Sequence, residues 1–265
     1  QSQNFNISLN KKFNQSLERE FSLTDSIVHS SFKPILQRDI EKLSNQHKLT
    51  PNLELVKVAE RSFLARKLFF EHLIQLQTDD IYLTIDPLFF FEYGKEEESD
   101  KYSFFKNTRG FVANLSIGEK VSIYTSFREN QATLPSYVDQ RTRSTGVAYG
   151  QGRYKTFKED GFDFAMSSAY VSYTPIKNIN LQFGHGKHFI GQGHRSLLLS
   201  DLSFNNPYFR INTEWFNSKL SYQNLYTSFQ SLERLESDAA SEELFQRQRG
   251  VFHFLEFKPN AKLSI

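Results

Sequence analysis

The chain contains no cysteine, and its 265 residues include only one tryptophan and one methionine. Without cysteine it can form no disulfide framework and perform no thiolate chemistry, and the absence suits a protein that crosses an oxidising periplasm. The sequence also lacks the run of about 18 apolar residues that a membrane-spanning helix requires. Its nearest approach, residues 63–76, is interrupted by arginine, lysine, glutamate and histidine. A helical membrane protein is therefore excluded.

An excess of charge of one sign is also missing. The 32 lysine and arginine residues face 30 acidic residues, which gives a formal net charge of +2. This small excess gives no argument for an anionic membrane surface as a partner, and we expect no nucleic-acid binding. The chain begins Gln1-Ser2-Gln3, without methionine or a basic and apolar leader. We therefore expect a mature, secreted protein from which a signal peptide has been removed.

Aromatic residues are abundant, with 27 Phe and 12 Tyr, yet the mean hydropathy is -0.52. Apolar side chains must therefore be interleaved with polar ones. In Phe209-Arg210-Ile211-Asn212-Thr213-Glu214-Trp215 the apolar residues and the threonine fall on one side of a strand, and the other polar residues fall on the opposite side. A strand with one face suited to lipid and the other to water is typical of a transmembrane β-barrel.

Eight segments of this kind follow one another, at residues 80–92, 103–116, 120–129, 161–174, 178–189, 207–217, 219–230 and 249–258. Long polar loops alternate with short turns between them, and outer-membrane barrels have long extracellular loops and short periplasmic turns. The pattern predicts an all-β, antiparallel up-and-down transmembrane β-barrel in the bacterial outer membrane. A soluble sandwich or propeller also has many short strands, but nothing in its physics requires the loop lengths to alternate.

The polar side of each segment should line the barrel interior. In segment 161–174 the larger side chains are set against small or polar neighbours: Phe162, Phe164, Met166 and Tyr170 against Asp163, Ala165, Ser167 and Ala169. The pattern thus predicts an interior of polar and small residues here. In segment 219–230, Leu225 and Phe229 fall out of phase with Tyr222 and Tyr226, and a β-bulge would explain the shift.

Residues 1–78 form a different part of the chain, which is polar and has no strand-like alternation. Helical patterns cover residues 12–20, 33–47 and 53–75, and residues 26–34 have the composition of a turn or linker. We expect a partly helical periplasmic segment over residues 1–78 that acts as a cap or plug. The barrel would occupy residues 79–265.

A further turn at Pro259-Asn260 precedes residues 261–265, which look like the start of a ninth strand. An open sheet edge cannot face lipid, because each unpaired backbone group would cost several kcal/mol. Either eight strands close with a short tail, or the chain is the N-terminal part of a larger barrel. We expect the second, because barrel chains typically finish on a full strand with a terminal aromatic residue.

The loop 184–210 holds most of the residues that could carry chemistry, and they lie between Gly184 and Asp201. Its glycines, Gly184, Gly186, Gly191 and Gly193, are followed by no helix in a βαβ context, so a nucleotide site is not expected. The histidines His185, His188 and His194 match no zinc spacing, and we expect no metal. The glycines would instead let the strand bend inward.

Two further arrangements in this loop involve Asp201. A catalytic triad of Ser196, His194 and Asp201 is formally possible, but the serine lacks the context of a nucleophile elbow. The expected role of Asp201 is an ion pair with Arg195 that ties a loop folded into the barrel mouth.

A second polar group lies at the ends of adjacent strands, around Arg109 and Arg128. These side chains suit two roles, the bracing of a lumen wall and hydrogen bonding to a sugar or uronic acid. Bracing is the commoner outcome.

Several segments resemble the outer-membrane family that includes the gliding-motility protein RemB and, more distantly, the capsule-assembly protein Wzi. They are residues 67–73, 85–89, 107–110 and 129–131, and most specifically Gly193-His194-Arg195-Ser196-Leu197-Leu198-Leu199-Ser200-Asp201 through Asn206-Pro207-Tyr208. The resemblance runs over roughly residues 65–225. It implies a large barrel with periplasmic helices and a non-enzymatic role in holding surface polysaccharide, in adhesion or in motility.

We therefore expect a non-enzymatic outer-membrane barrel, without a cofactor, that binds or organises surface polysaccharide or supports surface adhesion and gliding motility. The expected ligand contacts are cationic donors and stacking faces: Arg109, Arg128, Tyr137, His194, Arg195, Tyr208 and Arg210. The expected partners are membrane lipid, an acidic polysaccharide and other outer-membrane proteins. A subunit of a secretion or motility complex and a passive porin are the alternatives.

Overall fold

Antiparallel strands dominate the computed structural model, which describes residues 4–23, 25–44, 63, 71–97, 103–231 and 246–265. The main sheet contains, in spatial order, β2 (Ile74–Gln77), β3 (Ile81–Lys95), β4 (Ser103–Ile117), β5 (Val121–Thr133), β9 (Gly161–Ile176), β10 (Ile179–Gly186), β12 (Asn206–Trp215), β13 (Leu220–Gln230) and β14 (Arg247–Phe257). Because β2 and β14 do not pair, the sheet formed by the described residues is open and no closed barrel is present.

The eight long strands confirm the predicted segments and their antiparallel order. Short turns follow β4, β9 and β12, and longer connections follow β3, β5 and β10, as predicted from the loop lengths. Most of the connection after β13, residues 232–245, lies outside the described residues.

Smaller elements lie outside the main path of the sheet. They are the strands β1 (Phe32–Lys33), β6 (Val147–Ala148), β7 (Gly152–Arg153), β8 (Lys155–Phe157) and β11 (Phe189–Ile190), and the helices α1 (Lys11–Leu23), α2 (Gln37–Ser44) and α3 (Ser136–Thr145). Among the helices of the described residues, none has the length and apolar character needed to span a membrane.

The N-terminal part differs from the prediction in two places. Helix α2 begins at Gln37 rather than at residue 33, because Phe32 and Lys33 pair with β11 as strand β1. Residues 74–75, predicted to end a helix, belong to β2 instead, which alternates and pairs with β3 through a turn at Thr78. The rest of the helix predicted over 53–75 falls largely outside the described residues.

The outer face of the sheet carries a continuous apolar row. Eight residues face one another across the eight long strands: Leu83, Leu115, Ile123, Val171, Phe183, Phe209, Tyr226 and Val251. Each of them is exposed or partly exposed, and Phe183 is 67% exposed. The neighbouring row on the other face includes Ser116, Ser122, Ser172, Gln182 and Arg210, all of which are buried. From β4 to β12 the sheet therefore buries polar side chains behind the apolar row, whereas on β13 and β14 the inner row continues with Leu225 and Phe252.

Strand β9 has the opposite facing from the one predicted. Phe162, Phe164 and Tyr170 are buried on the inner face, while Ala165 and Ala169 are exposed on the outer face. The inner position suits the phenylalanines because both pack in a hydrophobic cluster beneath the loop after β5. Alternation alone reveals which residues share a face, but not which face is covered.

The predicted bulge in β13 is wrong. The registers of β13 with β12 and with β14 run without a shift from end to end. Leu225 is out of phase with the tyrosines because it faces inward, where it packs with Phe32, Ile190 and Tyr208. The register irregularity lies elsewhere, between β9 and β10 near Ile179.

Beyond β14 the chain turns back on itself. Ile265 exchanges both backbone hydrogen bonds with Phe257, at 2.8 and 2.9 Å. Its backbone thus lies beside the end of β14. The predicted start of a ninth strand is wrong, because residues 261–262 form a turn and Leu263 makes only an isolated bridge with Asn260.

Candidate functional site

From β9 to β14 the inner face of the sheet contacts the N-terminal segment, residues 4–23 and 25–36. Asn6 and Gln182 exchange two side-chain hydrogen bonds, at 3.0 and 2.9 Å, and the backbone N–H of Asn6 donates to the Tyr170 hydroxyl at 2.8 Å. Strand β1 pairs with β11, which belongs to the loop after β10. The hydroxyl of Tyr170 and the side-chain amide of Gln182 on the inner wall therefore bond to the N-terminal segment.

Arg210 anchors this segment to the middle of the sheet. Its guanidinium Nη1 donates to the backbone oxygen of Pro34 at 2.7 Å, and Nε donates to Gln223 Oε1 at 3.1 Å. The guanidinium also lies over the Phe32 ring, 4.9 Å from its centroid. Because Arg210 is only 2% exposed and its donors are occupied, it serves as a structural anchor and is not positioned to reach a ligand.

Tyr208 is likewise part of the interior. Its ring meets the His188 ring edge to face, with 4.4 Å between centroids, and both side chains are buried. Burial, and then the charge of Arg210, hold the pKa of His188 well below its ordinary value. His188 is therefore a neutral packing residue, and its Nε2 has no hydrogen-bond partner among the described residues.

A second anchor, the His29 cluster, joins residues 28–31 to the end of β14. His29 Nδ1 lies 3.1 Å from Glu256 Oε2, and Nε2 lies 2.7 Å from the backbone oxygen of Ser218. Ser31 donates to the other carboxylate oxygen of Glu256 at 3.1 Å, and Lys258 donates to Val28 O at 2.6 Å. The sequence prediction missed this cluster because its members are separated by more than 180 residues.

The loop at 184–201 folds inward, although its predicted ion pair is wrong. Asp201 pairs with Lys11 of α1 at 3.6 Å, whereas Arg195 is exposed. Ser196 Oγ donates to Ile190 O at 2.6 Å and accepts from the N–H of Leu198 at 3.2 Å, so it closes a turn. No catalytic triad is assembled by these contacts.

The four glycines of this loop have different surroundings. A Cβ at Gly184 would come within 2.5 Å of Ala169 O, so this position requires glycine for close strand contact. Gly191 has a φ of 114° and accepts a hydrogen bond from Lys33. Gly186 and Gly193 make no comparably close approach.

The three histidines of the loop do not converge, since His188 is buried and His194 is exposed. Within the described ranges, no group of three His, Asp or Glu side chains could hold a metal ion. A cavity of about 130 Å³ does lie between α1 and this loop, lined by Glu18, Lys33 and His194 among others. It is smaller than the roughly 300 Å³ of an ordinary small-molecule site.

Arg109 and Arg128 lie on opposite faces of the sheet. Arg109 faces outward and is 3.8 Å from Glu129, its cross-strand neighbour on β5. Arg128 faces inward, where burial and then the charge of Arg128 lower the pKa of Lys187. The two arginines therefore cannot form one binding site, because residues of opposite parity leave a sheet on opposite sides.

A larger groove of about 670 Å³, the loop groove, opens at the long-loop end of the sheet. Its lining includes Tyr137, Arg141, Tyr149, Phe204 and Gln230. The two tyrosines are exposed, and the Arg141 guanidinium lies 5.8 Å from the Tyr149 ring centroid. None of the described residues that line the groove is acidic.

Three contacts hold the walls of the loop groove. Ser136, at the start of α3, donates through N–H and Oγ to Glu96, at 2.7 and 2.9 Å. Lys187 donates to Gly150 O and to Asp201 O, which joins the β6–β7 turn to the turn after residue 200. Burial lowers the pKa of Lys187.

No family model, curated protein or solved structure matches this chain. The resemblance of residues 65–225 to the RemB family therefore stays a prediction. Of the predicted ligand contacts, only Tyr137 lines the loop groove; His194 borders the small cavity, and Tyr208 and Arg210 lie in the interior. Sequence reasoning missed Arg141, Tyr149 and Lys187, which the chain fold brings to one place.

Proposed function

We propose that this chain forms wall strands of an outer-membrane β-barrel whose interior is filled by its own N-terminal segment. The observation that carries the proposal is the exposed or partly exposed apolar row that crosses all eight long strands, with buried polar side chains behind it on β4, β5, β9, β10 and β12. Full burial of one large apolar side chain is worth about 1.5–3 kcal/mol. Eight partly exposed side chains thus forgo on the order of 10 kcal/mol in water, which is comparable to the whole net stability of a domain.

Lipid around the outer face removes this cost. A membrane placement also requires that the free edges of the sheet, at β14 and at β2 with the rest of β3, pair with further strands, because unpaired backbone groups are costly in a bilayer. The short turns would face the periplasm, and the long loops, with the loop groove, would face outside.

We infer that the loop groove binds an acidic surface polysaccharide without chemical conversion and without a cofactor. Exposed tyrosines supply flat faces for sugar rings, and Arg141 supplies a charged donor that suits a carboxylate. The absence of acidic side chains from the described lining avoids repulsion of a uronic acid. The size of the groove also fits a sugar, whereas the small cavity near α1 does not.

Calorimetry with a glucuronic-acid tetrasaccharide and its carboxyl-reduced counterpart tests this role. We expect Arg141→Gln to weaken binding of the acidic sugar about tenfold and to abolish the preference for it. Tyr149→Ala should weaken binding of both sugars, while Tyr149→Phe keeps the stacking face. Lys177→Gln, in a short turn at the opposite end, is the matched control. Equal binding by wild type and Arg141→Gln would refute the site.

A role as a protein-binding subunit has one observation in its favour. Leu197 and Leu198 are strongly exposed on a loop held by hydrogen bonds at Ser196 and by the buried Leu199. If this loop contacts another outer-membrane protein, Leu197→Ser with Leu198→Ser should release a partner that otherwise co-purifies in constant stoichiometry. A porin is disfavoured because the N-terminal segment fills the interior, and planar bilayers should record little steady conductance.

A further inference from the structure

Two exposed arginines, Arg249 and Arg247, continue the outer face of β14 from its apolar stretch toward the long loops. The outward-facing positions of the strand, in order, are Phe257, Leu255, His253, Val251, Arg249 and Arg247. Both arginines are exposed, and neither guanidinium has an ion pair or hydrogen bond with another described residue. On its outer face the strand therefore presents an apolar stretch followed by two guanidinium groups.

The outer face of the neighbouring strand β13 also changes from apolar to polar toward the long loops. Across from Arg249 and Arg247 lie Ser228 and Gln230, whereas Val251 lies opposite Tyr226. Successive outward residues are about 7 Å apart along a strand, so the two guanidinium groups begin immediately beyond the apolar row. No described residue at these four polar positions is acidic.

We propose that this face binds a phosphate-bearing lipid of the leaflet on the long-loop side, with the phosphate between Arg247 and Arg249 and the acyl chains along Val251 and Tyr226. The inference rests on the proposed membrane placement of the sheet. Arginine suits the headgroup because its planar fork donates two parallel hydrogen bonds to phosphate oxygens. The apolar row directly below accounts for the acyl chains, which a free phosphate ion does not have.

Native mass spectrometry of the full chain in neutral detergent micelles tests the site, with dioleoyl phosphatidic acid, dioleoylglycerol and inorganic phosphate as probes. We expect wild type to retain phosphatidic acid at least about tenfold more strongly than dioleoylglycerol, and to retain no inorganic phosphate. The double variant Arg247→Gln with Arg249→Gln should lose this preference. The double variant Arg247→Lys with Arg249→Lys keeps the positive charge but not the planar guanidinium, and should retain an intermediate amount of phosphatidic acid. Lys177→Gln should behave as wild type.

Equal retention of phosphatidic acid by wild type and the double glutamine variant would overturn the lipid site. The site would also be overturned if wild type retained dioleoylglycerol as strongly as phosphatidic acid. Displacement of the lipid by inorganic phosphate at equal concentration would also overturn it. These outcomes leave the membrane placement standing if the wild-type chain still inserts into phosphatidylcholine vesicles. Failure of insertion would instead refute the placement, and the lipid site with it.

Discussion

Gln182 and Phe183 are consecutive residues of β10, yet the glutamine is 1% exposed and the phenylalanine is 67% exposed. Gln182 exchanges hydrogen bonds with Asn6 of the N-terminal segment, while Phe183 belongs to the outer apolar row. A sheet in water normally buries its apolar face. This pair inverts that preference. The outer row is exposed or partly exposed on all eight long strands, and buried polar residues lie behind it on β4, β5, β9, β10 and β12.

The anchor at Arg210 gives a prediction about stability. Arg210→Gln removes the hydrogen bond to Pro34 O and the contact with Phe32, so we expect a loss of about 2–3 kcal/mol in the free energy of unfolding. Arg210→Lys keeps the positive charge but not the planar guanidinium, and should lose less of the free energy of unfolding. Urea unfolding in detergent, followed by the fluorescence of Trp215, measures the change. Unchanged stability in Arg210→Gln would show that the N-terminal segment is not held there.

The His29 cluster predicts strong coupling between two residues. The side chains of His29 and Glu256 are almost fully buried and 3.1 Å apart, so a double-mutant cycle with alanine should give about 1–3 kcal/mol. The partly exposed pair Asp139 and Arg143 on α3 is the control, and should give no more than about 0.5 kcal/mol. Equal coupling energies in the two pairs would contradict the proposed anchor.

His188 predicts a dependence of stability on pH. Burial lowers its pKa, so between that value and the unfolded value of about 6.5 the unfolded chain binds more protons than the folded chain. The stability that neutral His188 gives is therefore present above about pH 6.5 and lost as the pH falls. His188→Phe should reduce the loss of unfolding free energy between about pH 7.5 and about pH 5.5.

The exposed residue His194 provides the control for this experiment, because His194→Phe should keep the acid sensitivity of wild type. If His188→Phe and wild type lose the same free energy on acidification, His188 is not the group responsible.

The strands were predictable because alternation and loop length are local properties of the sequence. Phe209 to Trp215 alternates without interruption, and β12 covers those residues. The facing of β9 was not predictable, because Phe162 and Phe164 are apolar for a different reason: they pack under a loop rather than against lipid. Period-2 patterns carry no information about what covers each face.

The sites were harder to predict than the strands. Arg109 and Arg128 were predicted at the ends of neighbouring strands, but both lie in the middle of their strands, and the register sends them to opposite faces. Arg210 has the residue type of a ligand contact, yet Pro34 and Gln223 occupy its donors. Arg141, Tyr149 and Phe204 meet only because separate loops fold over the same end of the sheet. Such long-range convergence leaves no local spacing for a motif to capture.

Carbene labelling of the wild-type chain from within the bilayer tests the proposed membrane placement most directly. The chain is inserted into phosphatidylcholine vesicles that contain a lipid with a diazirine in its acyl chain, irradiated, and mapped by peptide mass spectrometry. We predict adducts on the outer row, above all at Phe183, Phe209 and Val251, and none at the buried Gln182 and Arg210. Adducts spread equally over both faces, or absent from the outer row, would contradict the account.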